Sequence, residues 1–223
     1  MTAVWSLIAL AAVAALADWL AVGTANDRLQ YAAKPAVLAL LVAAAALIPA
    51  AHSVSGGRRG WFVIALSFCL VGDVLLMLPR DLFIPGLVAF LAGHAFFIVG
   101  LLQPSPSGST RQFAFSSAGL ALSSGVVLVV AILPASIIIR SMLRRRQAAL
   151  VGPVCLYMGV ILTMVVLATN IGRPAAAIGA ACFLASDTLL ATDRFVRPIR
   201  QGTLVVHITY HIAQVLLVMS LIR

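Results

Sequence analysis

The sequence predicts an all-α, polytopic transmembrane helical bundle, a single integral membrane domain over residues 1–223, and three observations carry that prediction. Apolar side chains make up 63% of the 223 residues and charged ones 9%, and the mean hydropathy is +1.13, which a soluble domain does not reach. The apolar residues gather in runs of about 20, the length that crosses a hydrocarbon core as a helix. Most of the few charges fall between those runs.

Eight runs follow in order. Span 1 (2–22) is apolar up to Asp18 and lacks the basic leader of a secretory signal, so it is read as a retained helix. Span 2 (31–50) opens on Lys34 and Pro35, where a missing backbone donor does no harm. Span 3 (61–78) stops at Pro79-Arg80-Asp81, and span 4 (82–102) runs into QPSPSGSTRQ, a Ser, Pro and Gly-rich exposed loop. Span 5 (113–134) stops at Pro134, ahead of Arg144-Arg145-Arg146, and span 6 (147–168) starts beyond that cluster. Span 7 (174–192) starts on Pro174 and ends before Asp193-Arg194; span 8 (202–222) follows. The connections are short, as between helices packed as neighbours, and leave no room for a soluble domain.

Fifteen Lys and Arg against six Asp, with no Glu, give a net charge of +9. The cations form short clusters between spans rather than a continuous face, so they read as topology signals and headgroup contacts, not as a nucleic-acid surface. The loops after spans 1, 3, 5 and 7, with Lys34, carry ten of them (Arg28, Lys34, Arg80, Arg140, Arg144, Arg145, Arg146, Arg194, Arg197 and Arg200). The opposite side carries five (Arg58, Arg59, Arg111, Arg173 and Arg223). This imbalance predicts odd-numbered loops in the cytoplasm and both termini outside, in the cell membrane. Cys69, Cys155 and Cys182 lie in apolar stretches without close spacing, which supports neither a disulfide framework nor a thiolate metal site.

Spans 3 and 7 end alike, in CLVGDVLLMLPRD and CFLASDTLLATDRF, with Asp73 and Asp187 each seven residues before an arginine. This points to two parallel four-helix repeats; chance likeness of short apolar segments is the alternative.

An ionisable residue inside a bilayer costs on the order of 3 kcal/mol or more by insertion scales, so each is a functional hypothesis. Asp73 and Asp187 sit at matching depth near the odd-loop ends of their spans. Asp18, Lys34, Tyr157, Tyr210, His211 and Gln214 converge on that level, with His94 deeper, while the other leaflet is almost wholly apolar. This predicts a pocket open toward one face. Two carboxylates in one low-dielectric cavity suit an acid and base pair, since their repulsion favours one holding a proton; pairing with Lys34 or an arginine as structural glue is the alternative. Lys34 could hold a phosphate or snorkel to headgroups. Tyr210 and Gln214 share a helix face and could bind substrate or bond between helices. His207 and His211, also at i, i+4, could ligate a metal with His94 and an aspartate, but they lack an accompanying Glu and His207 is expected near the interface. Asp18, Asp27, Asp81 and Asp193, at span ends, read most simply as solvated, with Asp18 the exception to watch. Gly72, Gly86, Gly93 and Gly179 suit close helix contact.

Four motifs together resemble the YhhN family of lysoplasmalogenase-like membrane proteins: Lys34-Pro35, LVGDVLLMLPRDLFIPGLVAFLAGHAFF, ASDTLLATDRFVRP and TYHIAQVLL. The resemblance covers nearly the whole chain. It implies a membrane-embedded hydrolase that cleaves the vinyl ether bond of lysoplasmalogen-type lysophospholipids to a fatty aldehyde and a glycerophospho-alcohol. It implies catalytic roles for Asp73 and Asp187. Substrate-binding roles are expected of Lys34, His94, Tyr157, Tyr210 and Gln214; those of Lys34, Tyr210 and Gln214 match family positions. Vinyl ether hydrolysis needs a positioned acid to protonate carbon and a carboxylate to stabilise the cation, so no metal or other cofactor is called for. The expected partners are a lysophospholipid substrate and the bilayer, not nucleic acid; the oligomeric state stays open. The competing reading is a proton- or cation-coupled transporter, or a lipid-binding membrane protein, using the same aspartates.

Overall fold

The computed structural model describes residues 1–49, 52, 55–104 and 117–222, with side chains of the fifth helix from residue 120. Among the described residues the chain forms eight helices, each long and apolar enough to cross a membrane. They are α1 (Thr2–Gly23), α2 (Asp27–Ala46), α3 (Gly56–Met77), α4 (Phe83–Leu101), α5 (Ser117–Arg144), α6 (Ala148–Asn170), α7 (Pro174–Phe195) and α8 (Gly202–Met219). Helix is the form that lets a single segment satisfy its backbone inside hydrocarbon. The all-α bundle is therefore as expected. Most of the QPSPSGSTRQ loop, Arg111, Arg223 and the first residues of span 5 lie outside the described residues.

Two elements differ from expectation. Helix α2 begins at Asp27 because the Asn26 side chain accepts a hydrogen bond from the Leu29 N–H at 3.2 Å and caps the first turn. Lys34 and Pro35 are thus about two turns inside the helix rather than at its mouth. Helix α5 runs through Pro134 to Arg144, since a membrane helix tolerates an internal proline where neighbours meet the freed backbone groups.

The arginines that open α3 and α7 do structural work. Arg58, buried, donates to the carbonyls of Gly100 and Gln103 at 3.2 and 3.0 Å and so closes the C-terminus of α4. Arg59 donates to the Ile48 carbonyl beyond α2. Arg173 donates to the carbonyls of Ser220 and Ile222 at 3.0 and 2.7 Å, beyond the end of α8. Three of the five cations that pull against the topology count are thereby explained as helix caps.

Helices α3 and α4 pack as one hairpin and α7 and α8 as another, at glycines. A Cβ at Gly93 would meet the Ala65 carbonyl oxygen at 3.1 Å, and one at Gly179 the Ala213 carbonyl oxygen at 3.1 Å. Gly72 and Gly86 face Phe90 and Leu76 across the first hairpin at similarly close range. Across the halves, α4 packs on α6 and α2 on α8. One continuous apolar core, from Val4 to Leu221, fills the space between. A smaller cluster of Ile138, Met142, Val154 and Phe195 seals the odd-loop end of α5 to α7.

Candidate active site

A cavity of about 250 Å³ opens among α2, α3, α4, α6, α7 and α8, with walls that are mostly apolar. Asp73, Asp187, Lys34, Tyr157 and Tyr210 all line it. These five, assigned to one level from the sequence, share one cavity.

The two carboxylates are held in matching ways. Asp73, about a turn before the end of α3, accepts a hydrogen bond from the Tyr210 hydroxyl at 2.8 Å and faces Lys34 Nζ at 3.4 Å. Asp187, on α7, accepts from the Tyr157 hydroxyl at 2.5 Å, and His94 Nε2 lies 3.8 Å from the same oxygen. Each aspartate therefore takes one partner from the second helix of its own half (Lys34 on α2, Tyr157 on α6). The other comes from the fourth helix of the opposite half (Tyr210 on α8, His94 on α4). Each aspartate thus draws its partners from both halves of the chain.

The pairs are not chemically equivalent. Asp73 has a cation beside it; Asp187 has a phenol and an imidazole whose Nδ1 is engaged with the Phe90 carbonyl at 2.7 Å. His94 is fully buried behind the cavity wall, edge-on to both Tyr157 and Phe183. Gln214, also fully buried, stands one turn past Tyr210 and does not line the cavity.

The structure overturns the reading of His207 and shows Asp18 to be the exception among the span-end carboxylates. Asp18 is not solvated: it is fully buried, and His207 Nδ1 lies 2.6 Å from its Oδ2. His207 is likewise buried at 5% exposure, not interfacial, and its ring lines the cavity. His211 faces the same aspartate at 3.9 Å while accepting a hydrogen bond from Trp19 Nε1 at 3.0 Å. The ring nitrogens nearest Asp18 are thus engaged with protein groups, and among the described residues no three His, Cys or Asp/Glu side chains are arranged to hold a metal ion. The His207 and His211 spacing was the visible signal; Asp18, on α1, could not be linked to it without the fold. Of the remaining carboxylates, Asp81 is exposed and paired with Arg194, and Asp193 accepts from the Ile199 N–H at 2.7 Å.

The arrangement offers two carboxylates in one mostly apolar cavity, one beside a cation and one beside a phenol and an imidazole, with room for an apolar chain along Leu87, Phe90, Ile161 and Leu184.

Comparison with known proteins follows the same outline. The YhhN family model matches residues 29–221. A human protein named lysoplasmalogenase TMEM86B is 30% identical over 171 residues, 77% of this chain and 67% of that protein. A Mycobacterium bovis protein named lysoplasmalogenase is 34% identical over 177 residues, 78% of this chain and 62% of the relative. The chain thus spans about two thirds of the length of these relatives. No solved structure matches.

Proposed function

The chain belongs to the YhhN family, and from that premise we propose that it is a membrane-embedded hydrolase of the vinyl ether bond of lysoplasmalogen-type lysophospholipids. The relatives named lysoplasmalogenase support the substrate class. The observation that carries the chemistry is the unequal partnering of two carboxylates in one cavity.

Asp73, facing Lys34, is the member suited to remain a carboxylate. Asp187, facing Tyr157 and His94, is the member suited to carry the proton. In the reaction Asp187 gives its proton to the β-carbon of the vinyl ether, and the double bond's electrons form the new C–H bond. The resulting oxocarbenium ion is stabilised by the Asp73 carboxylate, as paired carboxylates do in glycoside hydrolysis. Water adds to the cationic carbon and its proton returns to Asp187. The hemiacetal then loses its hydroxyl proton as the glycerol oxygen leaves and is protonated, giving aldehyde and glycerophospho-alcohol. Tyr157 and Tyr210 fix the two carboxyl groups in place. Lys34, also within the cavity, contacts the substrate on its polar side. The apolar wall receives the alkenyl chain, and the cell membrane is the proposed setting, with odd-numbered loops in the cytoplasm.

The test is aldehyde release from a lysoplasmalogen by the purified protein in detergent, beside D73N and D187N variants shown to be folded. Release by wild type and loss of about 10²-fold or more in each variant is expected, the range for removing a general acid or base. Undiminished release in either variant contradicts the assignment.

A further inference from the structure

The Asp18, His207, His211 and Trp19 cluster takes no part in the chemistry above, yet it buries a carboxylate fully and turns one imidazole into the cavity. An aspartate placed there at the cost of desolvation calls for a use. Its hydrogen bond to Nδ1 fixes the His207 ring and leaves Nε2 on the side away from Asp18. With Nδ1 held in the bond to Asp18, Nε2 is the ring atom left to donate to an anionic ligand. The ring then presents an N–H donor at the cavity wall.

Its place along the cavity indicates what that donor meets. His207 lies on α8 one turn before Tyr210, at i, i+3 and therefore about 4.5 Å nearer the odd-loop end. A lysophospholipid whose ether oxygen sits by the carboxylates has its phosphate three glycerol carbons away, on the polar side. Toward that end the cavity continues past Gln30 and Thr203, which also line an adjoining depression with Asp27 and Gln201. Lys34 shares its charge with Asp73 at 3.4 Å, so a second donor beside it strengthens the hold on an anion. We propose that His207, held by Asp18, contacts the phosphate of the lipid headgroup, making the Asp18 and His207 pair a substrate-specificity element of this cavity. This rests on the hydrolase reading for the identity of the lipid, and on the cavity geometry alone for the phosphate contact.

Binding, rather than cleavage, tests it. The probes are a 1-O-alkyl lysophospholipid, whose saturated ether cannot be cut by carbon protonation, and the matching 1-O-alkylglycerol, which lacks the phosphate. With H207A, the Kd for the phospholipid is expected to rise about tenfold, the loss of one charge-assisted hydrogen bond, while that for the alkylglycerol stays unchanged. H207Q, which keeps an N–H, is expected to lie nearer wild type, and D18N to weaken the phospholipid selectively. If H207A does not fold, D18N and H207Q decide the matter in the same two arms. Equal weakening of both probes, or none, overturns the proposal, and displacement of the phospholipid by inorganic phosphate assigns the site to a free anion instead. A wild type that binds the phospholipid but releases no aldehyde from a lysoplasmalogen contradicts the hydrolase reading and leaves the headgroup contact standing.

Discussion

Lys34 and Asp73 meet at 3.4 Å in a cavity wall where both are buried, and the pair is worth most as a pair. Removing the cation alone in K34M strands a buried carboxylate, which costs about 3–5 kcal/mol. The variant is expected to unfold earlier in a detergent thermal melt, and K34M/D73N to regain much of that loss without regaining aldehyde release. Y157F removes the donor at 2.5 Å from Asp187 without opening space. It is expected to lower turnover about tenfold, because the carboxyl that delivers the proton is no longer held, and to lower stability by only about 1 kcal/mol, the net contribution of a hydrogen bond between neutral groups. These residues were legible because an ionisable or phenolic side chain inside an apolar run stands out at once. The Asp18 and His207 pair was not legible. Its members are 189 residues apart, and Asp18 sits close enough to a span end to pass for solvated.

Among the helices, contact depends on glycine faces and on arginines that close C-termini. A leucine at Gly93 must displace Cys69 Sγ, 2.9 Å from where its Cβ would sit, as well as the Ala65 carbonyl. G93L is therefore expected to lower the melting midpoint and the yield of folded protein more than a leucine at Gly125, where nothing lies within 4 Å. R173M is expected to loosen the end of α8, read as faster amide exchange at Ser220 to Ile222, because two carbonyls lose a charged donor. The number and order of spans were readable from run length and hydropathy. Their edges were less so. Asn26 capped α2 earlier than the apolar run suggested, and Pro134, which bounds a run in sequence, sits inside α5 in the fold.

The whole molecule shows its lipid-facing side most clearly on α5, where Val129 is 74% exposed and Leu122 and Ile132 are nearly as open. An arginine at Val129 is expected to impair membrane insertion by about 3 kcal/mol, measured as the fraction of protein recovered in membranes, whereas one at Leu143, exposed beside Arg144 at the odd-loop end, is tolerated better. The cross-half partnering of the aspartates was only half legible. The GDVLL and SDTLL segments pointed to repeats, but that α8 serves Asp73 and α4 serves Asp187 follows from how the halves face each other, which no local pattern encodes. The outcome is a site that neither half could form alone.

Protonation of carbon by Asp187 is read out by a single turnover of lysoplasmalogen in D₂O. The expected product is an aldehyde carrying one deuterium on its α-carbon, delivered to one face only, with no such product from D187N. Label from ¹⁸O water is expected to be absent from the glycerophospho-alcohol. An aldehyde deuterated without facial preference, or label in the glycerophospho-alcohol, would mean cleavage on the glycerol side through an enol and would contradict the account.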